Sequence, residues 1–273
     1  MKKLIFLFII SNFGFAQNTI VSYTQDYFLG NNLNCPSENN EAREMVKNGI
    51  ELLHLNRDLN PKYLWPTVDL FAKAVMKDQS FCDAYFFAGY TLNLLKQYRE
   101  TYAFYRVADS LSPKPFLLYK LNTAALCLKI GRVEESRKFF NDITKHFPES
   151  PEGYYGVALT APMIGDYSNG YKNIEDAITI YKGQSKKIGK EVFFLRAVLL
   201  TLDKQYENAL IAFEDVRSPF TKDINYNIHY SLALLKVSEL KNDPKMKKEA
   251  LKYYKKIENP KDIPDDVRAL FKF

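Results

Sequence analysis

The sequence predicts an all-α protein of about six antiparallel helix pairs, and three observations predict it. The first is a recurring face. Thr67, Thr101, Ser136, Gly170, Ala209 and Ala250 are all small and follow one another at intervals of 34, 35, 34, 39 and 41 residues. Four residues after each stands a bulky side chain: Phe71, Tyr105, Phe140, Ile174, Phe213 and Tyr254. Three further on stands an apolar one: Ala74, Ala108, Ile143, Ala177, Val216 and Ile257. Steps of four and three keep all three on one side of a helix. The second observation is another small column. Gly89, Ala124, Ala158 and Ala197 each lie 12 residues ahead of the matching small residue, and Gly49 and Ser231 take the same part at 18 and 19. The third is punctuation. Gly131 and Gly165 fall where a first helix must end in a left-handed cap, and Pro113 and Pro148 fall where a second helix cannot continue.

Composition agrees with a packed fold. The chain has 273 residues, 47% hydrophobic and 26% charged, with a mean hydropathy of −0.30. Those values exclude a disordered chain and a multi-span membrane protein. Residues 1–16 read as a secretory leader. Lys2 and Lys3 precede seven apolar residues, Leu4 to Ile10, and Gly14-Phe15-Ala16 offers small residues around a bulky one for cleavage before Gln17. The apolar run falls short of the roughly 20 residues that span a bilayer, so no integral membrane span is expected once the leader is removed. No cysteine lies near the cut, so the lipid anchor of a bacterial lipoprotein is not expected. The protein is therefore expected to be exported, to the periplasm or beyond.

The remaining elements follow in order. Residues 17–40 form a polar N-terminal segment, with a short strand or helix at Ile20 to Leu29 and then an Asn-rich turn. The repeats fill 41–258. They depart from regularity at an enlarged turn from Asn56 to Trp65, at about five extra residues around Lys182 to Lys190 and at a second enlarged turn near Leu240 to Lys247. Residues 259–273 form a capping segment. Pro264 opens its helix, Asp265 and Asp266 suit the positive end, and Leu270 and Phe271 are placed to cover the last apolar face. Cys127 is expected inside a helix as a small core residue. Cys35 and Cys82 meet only if the N-terminal segment folds back, and a bridge and free thiols both remain open.

The unit resembles the tetratricopeptide repeat. The residues that carry the likeness are Tyr85, Gly89, Tyr98, Tyr105, Ala108 and Pro113 in one copy and Tyr154, Ala158, Gly165, Tyr167 and Ala177 in another. The resemblance covers roughly Glu41 to Glu258. It implies a right-handed superhelical solenoid whose first helices line a concave groove, and a role in holding extended peptides or partner proteins there. Residues three before and one after each small residue of the first helices are expected in that groove. They are Phe86 and Tyr90, Leu121 and Ala125, Tyr155 and Leu159, Phe194 and Val198, and Ile228 and Leu232. Phe86, Tyr90, Tyr155 and Phe194 are the candidate ligand-binding residues, as aromatic anchors. The Lys, Arg and Asn clamp with which some relatives of this kind grip a terminal carboxylate is not evident, and Lys129 is the one obvious cation.

No catalytic constellation emerges. His54, His146 and His229 lie far apart, and no nucleotide, hydrolase or zinc-protease motif occurs. No catalytic residue, metal or cofactor is expected. Removing the leader leaves 36 basic and 32 acidic side chains, a net of +4, too weak for a nucleic-acid partner; the lysines near 182–190 and 245–256 read as solvated faces. The expectation is a non-enzymatic interaction scaffold of the bacterial cell envelope that binds a protein or peptide partner. The alternative is a receptor for a small ligand or glycan in the same groove.

Overall fold

A computed structural model describes residues 33–272 apart from residue 36 and residues 57–59. The expected leader and most of the expected N-terminal segment lie outside the described residues. The chain divides into two compact units, with the boundary in the chain between His146 and Phe147.

The N-terminal unit holds three helix pairs: α1 (Asn40–Leu55) with α2 (Pro61–Lys77), α3 (Cys82–Leu94) with α4 (Tyr98–Leu111), and α5 (Leu117–Lys129) with α6 (Val133–His146). The small columns explain the pairing. A Cβ added at Gly89 would sit 2.8 Å from the Tyr105 ring, and one at Gly49 would sit 2.6 Å from Phe71. Thr101 and Ser136 are fully buried, and the Ser136 hydroxyl crosses its pair to donate to the Ala124 carbonyl at 2.8 Å. Each polar member of the column is thus satisfied, which burial requires. Phe71, Tyr105 and Phe140 fill the space beside them and are buried. Gly131 ends α5 at φ +77°. The expected enlarged first turn is shorter than predicted, because Pro61 starts α2 under an Asn60 cap that accepts from the Lys62 N–H at 3.0 Å.

The C-terminal unit holds α7 (Pro151–Ile164) with α8 (Tyr167–Gly183), α9 (Lys190–Leu202) with α10 (Tyr206–Asp215) and the single turn α11 (Arg217–Phe220), and α12 (Ile224–Lys241) with α13 (Pro244–Tyr254). A 3₁₀ turn at Pro260–Asp262 and the one-turn α14 (Asp265–Arg268) close it. A Cβ at Gly170 would lie 2.3 Å from that of Ala161, so α7 and α8 approach more closely than any side chain permits. One local feature is a proline inside a helix, and two others differ from expectation. α7 runs through Pro162 to Ile164, because Pro162 sits in the last turn and the N–H groups of Gly165 and Asp166 both close on the Ala161 carbonyl. The extra residues near 240–247 lengthen α12 rather than a turn, since Asn242 in the left-handed region and the Asp243 cap confine the reversal. Tyr254 is only half-buried, and its neighbour Tyr253 takes the core position.

Candidate interaction surface

In the N-terminal unit the expected groove residues are mostly absorbed by packing. Phe86 is fully buried. Its ring stacks 4.8 Å from Tyr119 and 5.5 Å from Tyr105, with Phe87 edge-on at 5.4 Å. It ties α3 to α4 and α5 and offers a ligand no surface. Tyr90, one turn on, keeps 9% of its surface exposed, and burial raises its hydroxyl pKa. Leu121 is buried, while Ala125 and Lys129 are half-buried. The Lys129 ammonium lies over the Tyr98 ring at 4.6 Å, a cation–π contact. Sequence periodicity cannot separate a groove ring from one shared by three helices.

The same holds in the C-terminal unit. Phe194 is 3% exposed and stacks on Phe220 at 4.5 Å. The source of that partner is the break after α10. Ser218 adopts an extended conformation (φ −97°, ψ 124°), and Phe220 follows it onto Phe194. The ring cluster continues through Phe213, Tyr226, Tyr230 and Tyr253. Arg217 donates to the Tyr253 hydroxyl at 2.7 Å, and the Tyr230 hydroxyl donates to Glu214. Tyr155 on α7 is half-buried, and its enclosed hydroxyl has no hydrogen-bond partner among the described residues. Burial pushes that hydroxyl far above its usual range, with Glu191 and Tyr181 adding to the shift. Tyr155 and Tyr90 therefore keep an edge toward solvent, while Phe86 and Phe194 belong to the core.

Ile228 and Leu232, the expected groove pair of α12, are 1% and 0% exposed. They share an apolar cluster with Ile257, Ile263 and Val267, against which Leu270 and Phe271 also pack. The C-terminal segment thus lies on α12. The signal for this was the spacing of Ile263, Val267 and Leu270 by four and three.

At the other end, Cys35 and Cys82 form a disulfide with Cα atoms 5.8 Å apart. The Cys35 N–H donates to the Asp83 carboxylate at 2.8 Å, and the Tyr119 hydroxyl donates to its other oxygen. Asn34 donates to Ser112 at 2.7 Å. Asp83 is fully buried, so these partners are what make its burial tolerable. Cys35, Cys82 and Asp83 are also the one cluster of metal-ligand dimensions among the described residues, and the bond between the two sulfurs accounts for it. Cys127 is buried and free, and burial pushes its thiol up to about 12. His54 is exposed, His146 bonds the Asp142 carbonyl, and His229 is buried, which lowers its pKa to about 4. Among the described residues, no helix is long and apolar enough to cross a membrane.

No family profile and no curated protein matches the sequence. Solved structures do match the fold. MamA (residue 41 to the end) from Desulfovibrio magneticus RS-1 is 12% identical, covers 66% of this chain and 96% of its own, and superposes with a TM-score of 0.57. A tetratricopeptide repeat protein from Parabacteroides merdae is 14% identical over 85% of this chain and 99% of its own, at a TM-score of 0.57. YrrB, described as a TPR protein with an unusual peptide-binding site, is 15% identical over 73% of this chain and 95% of its own, at 0.55. At such identities the likeness establishes the fold: the chain is an all-helical solenoid of the tetratricopeptide-repeat type.

Proposed function

We propose that the protein is a non-enzymatic scaffold that holds a peptide segment or partner protein against the first helices of its repeats. The observation that carries this reading is the repeat fold itself, in which two of the expected groove residues, Ala125 and Tyr155, stay half-buried, as do Leu94, Lys129, Met163 and Leu202 one turn beyond other expected ones. YrrB, of the same fold, has a peptide-binding site according to its description. Export to the cell envelope is part of the same proposal. The basic and apolar start of the chain suits it, and the Cys35–Cys82 bridge suits an oxidising compartment.

The test is selection of binding peptides from a random library on the purified oxidised protein, followed by calorimetric titration. The reading requires selected peptides to bind wild type and to lose at least tenfold in affinity with Ala125→Glu or Met163→Glu, both half-exposed and outside the ring stacks. Equal affinity in both folded variants rules the groove out. Sequencing the mature N-terminus tests export: cleavage before Gln17 is expected, and an intact Met1 in the envelope fraction contradicts it.

A further inference from the structure

The positive charge of the chain is gathered on one helix. Residues 244–258 hold six lysines, Lys245, Lys247, Lys248, Lys252, Lys255 and Lys256, against Glu249 and Glu258, a formal net of +4. Residues 17–243 hold 27 basic and 27 acidic side chains, and residues 259–273 hold three of each. The whole net charge of +4 beyond the expected leader therefore sits on α13 and the few residues that follow it.

The fold aligns these lysines. Ala250 and Tyr253 turn inward and are buried, and Ile257 follows them into the core. Lys245, Lys248, Lys252 and Lys255 succeed one another at steps of three, four and three, which keeps them on one face, and all four are exposed. Lys256 continues the row, with its ammonium over the Tyr253 ring at 4.1 Å. Lysines of the neighbouring helix are paired, Lys236 with Glu239 at 2.8 Å and Lys241 with Glu207 at 2.7 Å. Among the described residues, none of the six lysines on and after α13 has a carboxylate within ion-pair distance. Glu249, at the margin of the row, is the one acidic side chain of the helix. The row belongs to a second helix, not to the first helices assigned to peptides.

We propose that α13 is a docking face for an anionic membrane surface, held through the phosphate headgroups of acidic phospholipids. In the sequence alone the lysines read as a solvated face. Their alignment on one side and their freedom from carboxylates carry the reading further. A row of ammonium point charges without an arginine fork matches a diffuse negative field rather than bidentate recognition of one phosphate. α13 exposes no aromatic ring on which a nucleic-acid base could stack. It also lacks the exposed apolar anchor around which a protein interface is built. Each lysine close to such a surface contributes about fivefold in partition, so the row gives reversible, salt-sensitive attachment. This attachment needs no membrane-spanning helix and does not rest on the peptide-binding reading.

The test is sedimentation of the purified oxidised full chain with vesicles of phosphatidylcholine, with and without about one third phosphatidylglycerol. The chain is expected to bind the anionic vesicles, to ignore the neutral ones and to be released as salt rises from about 0.05 M to about 0.5 M. Lys248→Gln/Lys252→Gln is expected to lower the partition coefficient at least tenfold. Lys186→Gln/Lys187→Gln removes the same charge from an exposed stretch of the same unit and is expected to lower it by less than about threefold. Glu249→Gln is expected to raise it. All five positions are exposed, so the variants are expected to keep the helical circular dichroism of wild type. Equal binding to neutral vesicles overturns the proposal. So does an equal loss from the two lysine pairs, which would put net charge at work in place of the row. Absence of binding to either vesicle overturns it as well, and capture of a DNA duplex at the same salt beside unbound vesicles would assign the row to nucleic acid instead.

Discussion

In the first unit a covalent bridge and a buried carboxylate hold the segment before the repeats, and in the second apolar side chains on a one-turn helix hold the segment after them. Cys35–Cys82 and Asp83 pin Asn34 and Cys35 beside the start of α3, whereas Ile263 and Val267 pack on α12. In each unit a segment outside the repeats covers part of a helix pair, as capping segments of repeat proteins do. The difference teaches which end can open. Breaking the N-terminal closure removes hydrogen-bond donors from a buried carboxyl group, whereas lifting the C-terminal one mainly uncovers the apolar Ile228 and Leu232.

The largest effect expected is in the ring stack of the first unit. Phe86→Ala should cost about 4 kcal/mol, because a fully buried ring leaves a cavity between three helices. Chemical denaturation of the variant measures this; a loss below about 1 kcal/mol would mean that Phe86 is a groove residue after all. Next comes the bridge. Its sequence separation is 47, and Cys35→Ser/Cys82→Ser should remove about 3 kcal/mol by freeing that loop in the unfolded chain. Exchange protection should fall in the N-terminal unit and stay unchanged in the C-terminal one, and a fall in both would show that the contrast is false.

A third prediction separates the units by pH. His229 has its pKa held at about 4 by burial, against about 6.5 in an unfolded chain, and the nearby Asp266 charge opposes the shift. Between those values the unfolded chain binds more protons, so stability is complete above about pH 6.5 and falls as pH drops toward 4. The expected loss in the C-terminal unit is about 3 kcal/mol, read from denaturation midpoints at pH 7 and pH 4. His229→Phe should flatten that slope, and an unchanged slope would place the titration elsewhere. The smallest effect concerns Lys204, which takes a left-handed φ of 64° at the turn between α9 and α10. Lys204→Gly should stabilise by under about 1 kcal/mol in a thermal melt, since glycine accepts that conformation without a Cβ clash.

Much of this fold was legible because sterics repeat locally. Gly89 against Tyr105 and Gly170 against Ala161 are contacts that only a small residue allows, and their spacing recurs in the sequence. Gly131 and Gly165 marked helix ends for the same reason, since both sit at positive φ. The candidate site was legible only in part. Phe86 and Tyr155 occupy equivalent places in their helices, yet one is enclosed by Tyr105 and Tyr119 and the other keeps an edge in solvent. That difference depends on which rings a neighbouring helix supplies, and for Phe194 on a backbone break at Ser218 that brings in Phe220. The Cys35–Cys82 bridge was one of two open outcomes, because it depends on whether Cys35 is brought back to the start of α3.

Hydrogen exchange of the oxidised chain at neutral pH, with and without a dithiol, tests the contrast between the two ends most directly. Without dithiol, α3 should be protected to near the global unfolding free energy, while the amides of 268–270 exchange far faster. With dithiol, protection should fall around α1 and the start of α3 and stay as it was in the C-terminal segment. Protection of 268–270 equal to that of α3, or indifference of α3 to the dithiol, would contradict the account.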